Sequence, residues 1–416
     1  MSQDKKSIYN IFAVTILLIM ACFCNTKVYA TDDLLVNAKA SLIVEVNSGK
    51  IIYENNAKVQ NYPASVTKIL TAILVIENCR LDDIAVVSQN TVSNIPEGYA
   101  VAPLFVGEEM RIEDLLYALM LSSANDAAFV LAEHVGGTTE NFVDMMNKKA
   151  QELGCKNTNF VNPNGIHNDN HYTTAYDMYL ISKYAMQNKT FAKIVSTYEH
   201  ILPATNKYSN NDRIMINTND FINPKSVYYD KNIKGIKTGT TMQAGNCLIT
   251  NVAKDDIEII TVILGAETSD SKFSETSKMI NYMFSNYTHT VVHKKGDVIK
   301  SIDAQKATKE TKNLNLVISD DIITMNNINI NAKDTEPEIT LYENVVAPIY
   351  KGQELGTIKY TVDGLEYNAK LLAQNNVVKK TYYFEILVGS AALYLVLCIV
   401  LIIIILKKNN ALGTRP

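Results

Sequence analysis

The sequence predicts a mixed α/β (α+β) domain, followed by a small all-β domain and one C-terminal transmembrane helix. Three observations support this prediction. In the first part of the chain, β-type runs stand on both sides of a group of helix-type runs. After Thr288 only short alternating runs separated by polar turns remain. Ile386 to Leu406 is an uncharged apolar segment, close to the ~20 residues that a bilayer requires.

The N-terminal segment has the pattern of a secretory signal. Lys5 and Lys6 precede an apolar run from Ile11 to Cys24, and Val28-Tyr29-Ala30 has the small residues of a cleavage site. We therefore expect residues 1–30 to be a signal peptide. An uncleaved anchor is the alternative, although the run is short for a membrane span.

The C-terminal segment has the pattern of a membrane anchor. Tyr382, Tyr383 and Phe384 flank its outer edge, and Lys407-Lys408 follow its inner edge. With the signal peptide setting the orientation, we expect a single-pass protein of the cell membrane. Its body is extracytoplasmic and residues 407–416 form a cytoplasmic tail.

Charge and cysteine content exclude some classes of protein. The formal net charge is −4 and no basic block occurs, so nucleic acid is not an expected partner. Cys79, Cys155 and Cys247 lie between the signal and the anchor, and an odd number of cysteines predicts no disulfide framework.

The elements of the first domain can be read in order. Residues 42–46 and 51–53 predict a hairpin around Asn47-Ser48-Gly49. Helix-type runs follow, and two β-type runs are joined by a polar turn at residues 254–256. The helix-type runs start at Pro63 and cover 113–121, 126–134 and 142–153; the β-type runs cover 246–252 and 257–266.

The first chemical candidate is Ser65 with Lys68, at the mouth of an apolar helix. Residues three apart lie on one helix face, so the lysine amine can reach the serine hydroxyl. A lysine activates a serine only if it is partly neutral, and burial favours the neutral form. Alone, this spacing is common by chance.

The second candidate is Ser123 with Asn125, between two helical runs. A hydroxyl can relay a proton, and a carboxamide can donate and accept hydrogen bonds at once. Simple helix capping is the alternative for an isolated Ser-x-Asn.

The third candidate is Lys237-Thr238-Gly239, on or just before a strand. A lysine beside a hydroxyl suits a carboxylate ligand, and a glycine lets a substrate lie close to the strand edge. An ordinary turn with an exposed lysine is the alternative.

His167 and His171 have a spacing that metal sites use. No glutamate lies between them, no cysteine or carboxylate cluster completes a ligand set, and Asn162-Pro163-Asn164-Gly165 before them predicts a loop. We interpret the pair as loop residues rather than metal ligands.

The three candidates in this order form one specific signal. Ser-x-x-Lys, Ser-x-Asn and Lys-Thr-Gly occur together in serine β-lactamases and penicillin-binding proteins. The surrounding sequence from about Ala40 to Tyr287 resembles the low-molecular-weight penicillin-binding proteins that are serine-type D-alanyl-D-alanine carboxypeptidases. Stretches that carry the resemblance are 63–72, 121–134, 217–219 and 235–248.

The resemblance implies the fold, activity and site. It implies the transpeptidase fold of penicillin-binding proteins and serine β-lactamases, with helices on both faces of an antiparallel sheet, over residues 31–290. Residues 346–353 resemble the β-rich C-terminal domain of such enzymes, here expected over 291–378, before the span at 386–406. Substrates would be peptidoglycan stem peptides ending in D-Ala-D-Ala, and β-lactams would be covalent inhibitors, with no cofactor required. The implied catalytic residues are Ser65, Lys68 and Ser123, and the implied substrate-binding residues are Asn125, Lys237, Thr238, Gly239 and Thr240.

Two departures from the family pattern stand out. Ser123-Ala124-Asn125 replaces the frequent Ser-Gly-Asn. Lys272-Phe273 replaces an expected Arg-Phe; a lysine keeps the charge without the guanidinium fork, which weakens the expectation of a structural ion pair there.

Three other functions share part of this pattern. A class A β-lactamase uses a glutamate for deacylation, yet no glutamate occurs between Leu153 and Tyr198. An endopeptidase acting on cross-linked stems would carry the same catalytic groups. A non-enzymatic cell-wall binding protein would have no use for Ser65.

Overall fold

The computed structural model describes residues 34–93, 95–342 and 345–412. The predicted signal peptide therefore lies outside the described residues. Two compact units are formed, one mainly by Ile51–Lys254 and the other mainly by the chain from Met283 onward. The helices are α1 (Lys68–Asn78), α2 (Gln89–Ser93), α3 (Ile112–Met120), α4 (Asn125–Gly136), α5 (Thr139–Glu152), α6 (Ala175–Met186), α7 (Lys189–Val195), α8 (Ser269–Asn286) and α9 (Tyr383–Leu412).

The first unit is built on a five-stranded sheet with the strand order β2-β1-β9-β8-β7. The β8–β9 turn has Asp255 and Asp256, both with positive φ (51° and 61°), as a tight hairpin turn requires. This agrees with the predicted polar turn. The strands of the unit are β1 (Ala38–Glu45), β2 (Ile51–Asn55), β3 (Ile84–Val86), β4 (Glu109–Arg111), β5 (Glu199–Leu202), β6 (Arg213–Ile216), β7 (Ile233–Thr241), β8 (Gly245–Lys254) and β9 (Ile257–Ala266).

Both faces of this sheet are covered. Successive side chains of a strand point to opposite faces of a sheet. Because consecutive residues are buried along β1, β8 and β9, both faces are shielded from solvent there. Helix α1 is buried at every position from Lys68 to Val75 and belongs to the same hydrophobic core. The prediction of an antiparallel sheet with helices on both faces is confirmed.

The second unit contains the predicted small β-rich module. One antiparallel pair, β10–β13, accompanies a five-stranded sheet with the order β11-β12-β16-β15-β14. The module has its own apolar core, which includes Leu316, Ile358 and Leu371. Its strands are β10 (Tyr287–His293), β11 (Val298–Asp303), β12 (Asn313–Ile318), β13 (Ile322–Asn327), β14 (Glu338–Leu341), β15 (Glu354–Val362) and β16 (Leu365–Ala373).

Helix α9 contains the predicted anchor. Ile386–Lys407 is a stretch of 22 residues with a mean hydropathy of 3.0, and none of it is buried within the protein. By length and composition it can cross a bilayer. Its exposed apolar surface is what a membrane-embedded helix presents to lipid.

Candidate active site

Ser65 lies in a tight 3₁₀ turn, Ala64–Thr67, which continues directly into α1. In this turn Ala64 adopts a left-handed conformation with φ 50°, which is unfavourable for a residue with a β-carbon. The Thr67 hydroxyl donates to the Ala64 carbonyl at 2.8 Å and holds the turn in this form. The sequence predicted a plain helix start here, and the tighter geometry comes from the packing around the turn.

His171 supports this turn from behind. Its Nδ1 accepts from the Val161 N–H at 3.1 Å, so its Nε2 carries the proton and donates to the Thr67 hydroxyl at 2.9 Å. Burial, helped by His167 and Lys68, lowers the pKa of His171 to about 3, so the ring stays neutral. His171 therefore fixes the nucleophile turn through hydrogen bonds.

Lys68 is completely buried and meets three oxygen atoms. Its Nζ lies 3.0 Å from Ser65 Oγ, 2.9 Å from Asn125 Oδ1 and 2.6 Å from the Asn164 carbonyl oxygen. The Asn125 and Asn164 acceptors orient the amine, and the third acceptor is the hydroxyl of the predicted nucleophile, Ser65. The Nζ–Oγ pair can thus pass a proton directly.

The surroundings of Lys68 favour its neutral form. Burial lowers the pKa of Lys68 well below its usual value, the Lys237 cation lowers it further, and the Asp126 carboxylate opposes both. An amine with a lowered pKa can accept a proton at neutral pH, whereas an exposed lysine cannot.

The Ser-x-Asn segment joins α3 to α4, and its serine and asparagine side chains make different contacts. Ser123 has φ 59° and lines the cleft. Ser122 turns away, because its Oγ accepts from the Ile216 N–H at 3.1 Å. Asn125 is the first residue of α4. Its Oδ1 accepts a hydrogen bond from Lys68 Nζ, and its Nδ2 donates to the Ala100 carbonyl at 2.9 Å. These bonds replace the capping role that was the alternative for Asn125.

Strand β7 forms the opposite wall and contains Lys237, Thr238 and Gly239. Lys237 is buried and donates to the Thr238 carbonyl at 3.0 Å, while the Thr238 hydroxyl lies 2.6 Å from the Thr218 hydroxyl. Lys237 is therefore not the exposed turn lysine of the alternative interpretation. The paired hydroxyls and the cation behind them provide donors for an anion.

Two glycines allow chain segments to approach the nucleophile turn. A β-carbon on Gly239 would stand 2.8 Å from the Ser65 backbone nitrogen, and one on Gly165 would stand 1.9 Å from the Ala64 carbonyl oxygen. Neither distance is tolerated by a real side chain. Gly239 therefore brings β7 against the Ser65 N–H, and Gly165 seats the 162–165 loop beneath the turn.

The buried Lys272 of α8 affects the pKa of Lys237. Burial and the Lys272 cation lower the pKa of Lys237 to about 7. Lys272 donates to Ser269 Oγ at 3.2 Å and lies over the Phe273 ring, 5.0 Å from its centre. Within the described part of the chain Lys272 forms no salt bridge, in line with the absence of a guanidinium fork.

These walls enclose a cleft of about 620 Å³. Of the eight predicted catalytic and substrate-binding residues, Lys68 and Lys237 lie buried behind its surface. The remaining six line it: Ser65, Ser123, Asn125, Thr238, Gly239 and Thr240.

The sequence did not identify several contributors. Asn164, which holds Lys68, stood in a segment interpreted only as a turn, and Lys272 appeared only as a departure from a family pattern. Thr218 lay within a stretch of resemblance without a role. A backbone carbonyl leaves no trace in a sequence, so only the Pro-Asn-Gly turn could have pointed to Asn164.

Comparison with known proteins places the chain among related enzymes. Residues 26–268 match the family described as D-alanyl-D-alanine carboxypeptidase, and residues 287–379 match the penicillin-binding protein 5 C-terminal domain. The chain is 32% identical over 354 residues to D-alanyl-D-alanine carboxypeptidase DacF of Bacillus subtilis, covering 84% of this chain and 87% of the relative. It is 28% identical over 358 residues to D-alanyl-D-alanine carboxypeptidase DacC of Escherichia coli, covering 82% of this chain and 84% of that relative.

A solved structure shows the same architecture. Penicillin-binding protein 5 from Haemophilus influenzae superposes with a TM-score of 0.64 at 27% identity, covering 83% of this chain and 98% of the other. With both parts of the sequence matched and its three sequence motifs gathered in one cleft, the chain belongs to the D-alanyl-D-alanine carboxypeptidase family of low-molecular-weight penicillin-binding proteins.

Proposed function

We propose that this serine-type carboxypeptidase removes the terminal D-alanine from peptidoglycan stem pentapeptides through an acyl-enzyme on Ser65. The observation that carries this assignment is the Lys68 amine, 3.0 Å from Ser65 Oγ, whose pKa is lowered by burial and by the nearby Lys237 cation. Such a pair is the machinery of acyl transfer. By removing D-alanine the enzyme limits cross-linking.

In the acylation step, Lys68 accepts the proton of Ser65 as Oγ attacks the carbonyl carbon between the two D-alanines. The backbone N–H groups of Ser65 and Thr240 stabilise the resulting oxyanion, and the close approach allowed by Gly239 supports this role. A donor of this kind contributes roughly 3–4 kcal/mol to lowering a barrier.

Collapse of the tetrahedral intermediate releases D-alanine. Its nitrogen must gain a proton as the C–N bond breaks, and Ser123 relays that proton from Lys68 across the cleft. Water then attacks the ester carbonyl carbon while Lys68 accepts its proton, and Lys68 returns that proton to Oγ as the bond between Ser65 and the acyl group breaks. Asn125 orients the substrate amide while it holds Lys68.

The terminal carboxylate is bound on the β7 side. Thr238, paired with Thr218, donates to the carboxylate oxygens, and Lys237 provides the positive charge. β-Lactams carry a carboxylate in a comparable position and acylate Ser65 in the same way.

We place the enzyme on the outer face of the cell membrane. The apolar Ile386–Lys407 segment is the anchor. Residues 1–30 are the signal peptide that directs export of the body and is then removed. The proposed limits are residues 31–290 for the catalytic domain, 291–378 for the β-rich domain, 386–406 for the span and 407–416 for a cytoplasmic tail.

We expect a chain comprising Thr31–Lys380 to be soluble, to bind fluorescent penicillin and to release D-alanine from a pentapeptide stem. The reason is that the catalytic unit has its own core and that the lining of the cleft, among the described residues, includes none from α9. Full-length protein should stay in membranes through high-salt and alkaline-carbonate washes. Extraction by salt would contradict the anchor, and cleavage of cross-linked dimers without release of D-alanine from monomers would identify an endopeptidase instead.

We expect kcat/KM for a stem with a free terminal carboxylate to fall as pH rises above about 7. Lys237 must be protonated to attract the carboxylate, its pKa is about 7, and the charged fraction falls as pH rises through that value. A stem with an amidated terminus should lack this fall.

The Lys237→Ala variant should lose activity on the substrate with a free carboxylate and lose little activity on the amide. Equal losses on both substrates would remove Lys237 from the carboxylate site.

A further inference from the structure

The described residues that line the cleft include one charge of each sign. Lys272 is the cation among its described lining residues, and Glu97 is their single carboxylate. Glu97 is exposed to the cleft, and among the described residues it forms no salt bridge. An acidic group without a cation of its own faces the substrate channel.

The segment that follows Glu97 in the chain is hydrogen-bonded to Asn125 and Asp126, at the start of α4. The Ala100 carbonyl accepts from both the backbone N–H and Nδ2 of Asn125, each at 2.9 Å. The buried Asp126 carboxylate accepts from the Ala102 N–H at 2.9 Å and the Leu104 N–H at 3.2 Å. Glu97 is thus presented three residues from a fixed point beside Asn125, the residue that holds Lys68.

The chemistry of the substrate supplies a partner for this carboxylate. A stem peptide that can be cross-linked has a second amino group on the residue before the two D-alanines, because the cross-link is an amide formed on that group. At neutral pH a free amine there is an ammonium. The cations of Lys237 and Lys272 repel such an ammonium, whereas the Glu97 carboxylate in the lining of the cleft attracts it.

We propose that Glu97 is a specificity-determining residue that binds this ammonium and selects stems whose side-chain amine is free. This inference rests on the proposed function. A stem whose amine has been converted to an amide, as in a cross-link, has lost the charge that Glu97 attracts. The enzyme would therefore act preferentially on stems that are not yet cross-linked.

The test uses full-length protein in detergent and two pentapeptides ending in Lys-D-Ala-D-Ala, one with the lysine amine free and one with it acetylated. We expect the wild type to prefer the free amine by about 5-fold in kcat/KM, mainly through KM, as befits a solvent-accessible ion pair. Glu97→Gln should remove the preference, Glu97→Asp should keep part of it, and Glu97→Lys should invert it. The preference should also shrink in 0.5 M NaCl because salt screens exposed charges.

Glu54→Gln is the matched control. Glu54 is exposed on β2, at the opposite edge of the sheet from β7, and its loss should leave the preference unchanged. A wild type without preference, or a preference that survives Glu97→Gln, would overturn the role of Glu97 while D-alanine release still supports the proposed function. Absence of D-alanine release from both peptides would instead overturn the function itself.

Discussion

The Ser65→Ala variant is expected to lose penicillin labelling completely and to lose D-alanine release by roughly 10⁴-fold or more. The reason is covalent: no acyl-enzyme can form without Oγ, and residual turnover can come only from binding and oxyanion stabilisation. Fluorescent penicillin and a D-alanine release assay measure the two effects.

Two neighbouring serines provide controls for this result. Ser122→Ala should still label, because Ser122 Oγ is engaged by the Ile216 N–H and not by Lys68. Ser123→Ala should label at Ser65 but turn over more slowly, since Ser123 is assigned proton relay and not attack. Peptide mapping of the labelled wild type should find the adduct on Ser65. An adduct on Ser122 or Ser123, or labelling of Ser65→Ala, would refute the nucleophile assignment.

The second large effect is expected at Lys68. Lys68→Met removes the only amine within hydrogen-bonding distance of Ser65 Oγ among the described residues, so acylation should slow by roughly 10²–10⁴-fold. Lys68→Arg should be similarly inactive although it keeps a positive charge, since a guanidinium does not give up its proton in this pH range. Stopped-flow acylation by penicillin measures the rate.

Folding of these variants must be checked separately. The Met variant leaves the Asn125 Oδ1 and Asn164 carbonyl acceptors without Lys68, which costs about 1–3 kcal/mol for each buried group. A thermal melt and circular dichroism show whether the protein remains folded. A folded Lys68→Met protein that acylates at the wild-type rate would show that another group is the base.

Burial of lysines is a shared feature of the two sides of this cleft. Lys68 and Lys237 both have a lowered pKa, chiefly because burial penalises the ammonium form. The consequence differs with position. In the proposed mechanism the neutral amine beside Ser65 serves as a base, whereas on β7 the remaining positive charge of Lys237 attracts a carboxylate. Lys272 lowers the pKa of Lys237 and so reduces that charge.

Local patterns were sufficient for much of the architecture. The strand pair around residues 47–49, the helices before and after Ser123, and the β8–β9 turn follow from apolar periodicity and turn residues close together in the chain. The anchor followed from length and composition. These features depend on neighbours within about 20 residues along the chain.

The motif set, the order of the elements, the family resemblance and the apolar C-terminal segment could all be predicted from the amino-acid sequence alone. The folded structure was needed to show that Lys68 is buried against Asn125 and Asn164 and that Thr67 and His171 fix a strained turn. It was also needed to show that Lys272 lies close enough to Lys237 to lower its pKa. The physical reason is that a catalytic pKa depends on desolvation and on charges brought close through space. Asn125 and Asn164, which contact Lys68, are 57 and 96 positions away from it along the chain. No local sequence pattern encodes contacts over such separations.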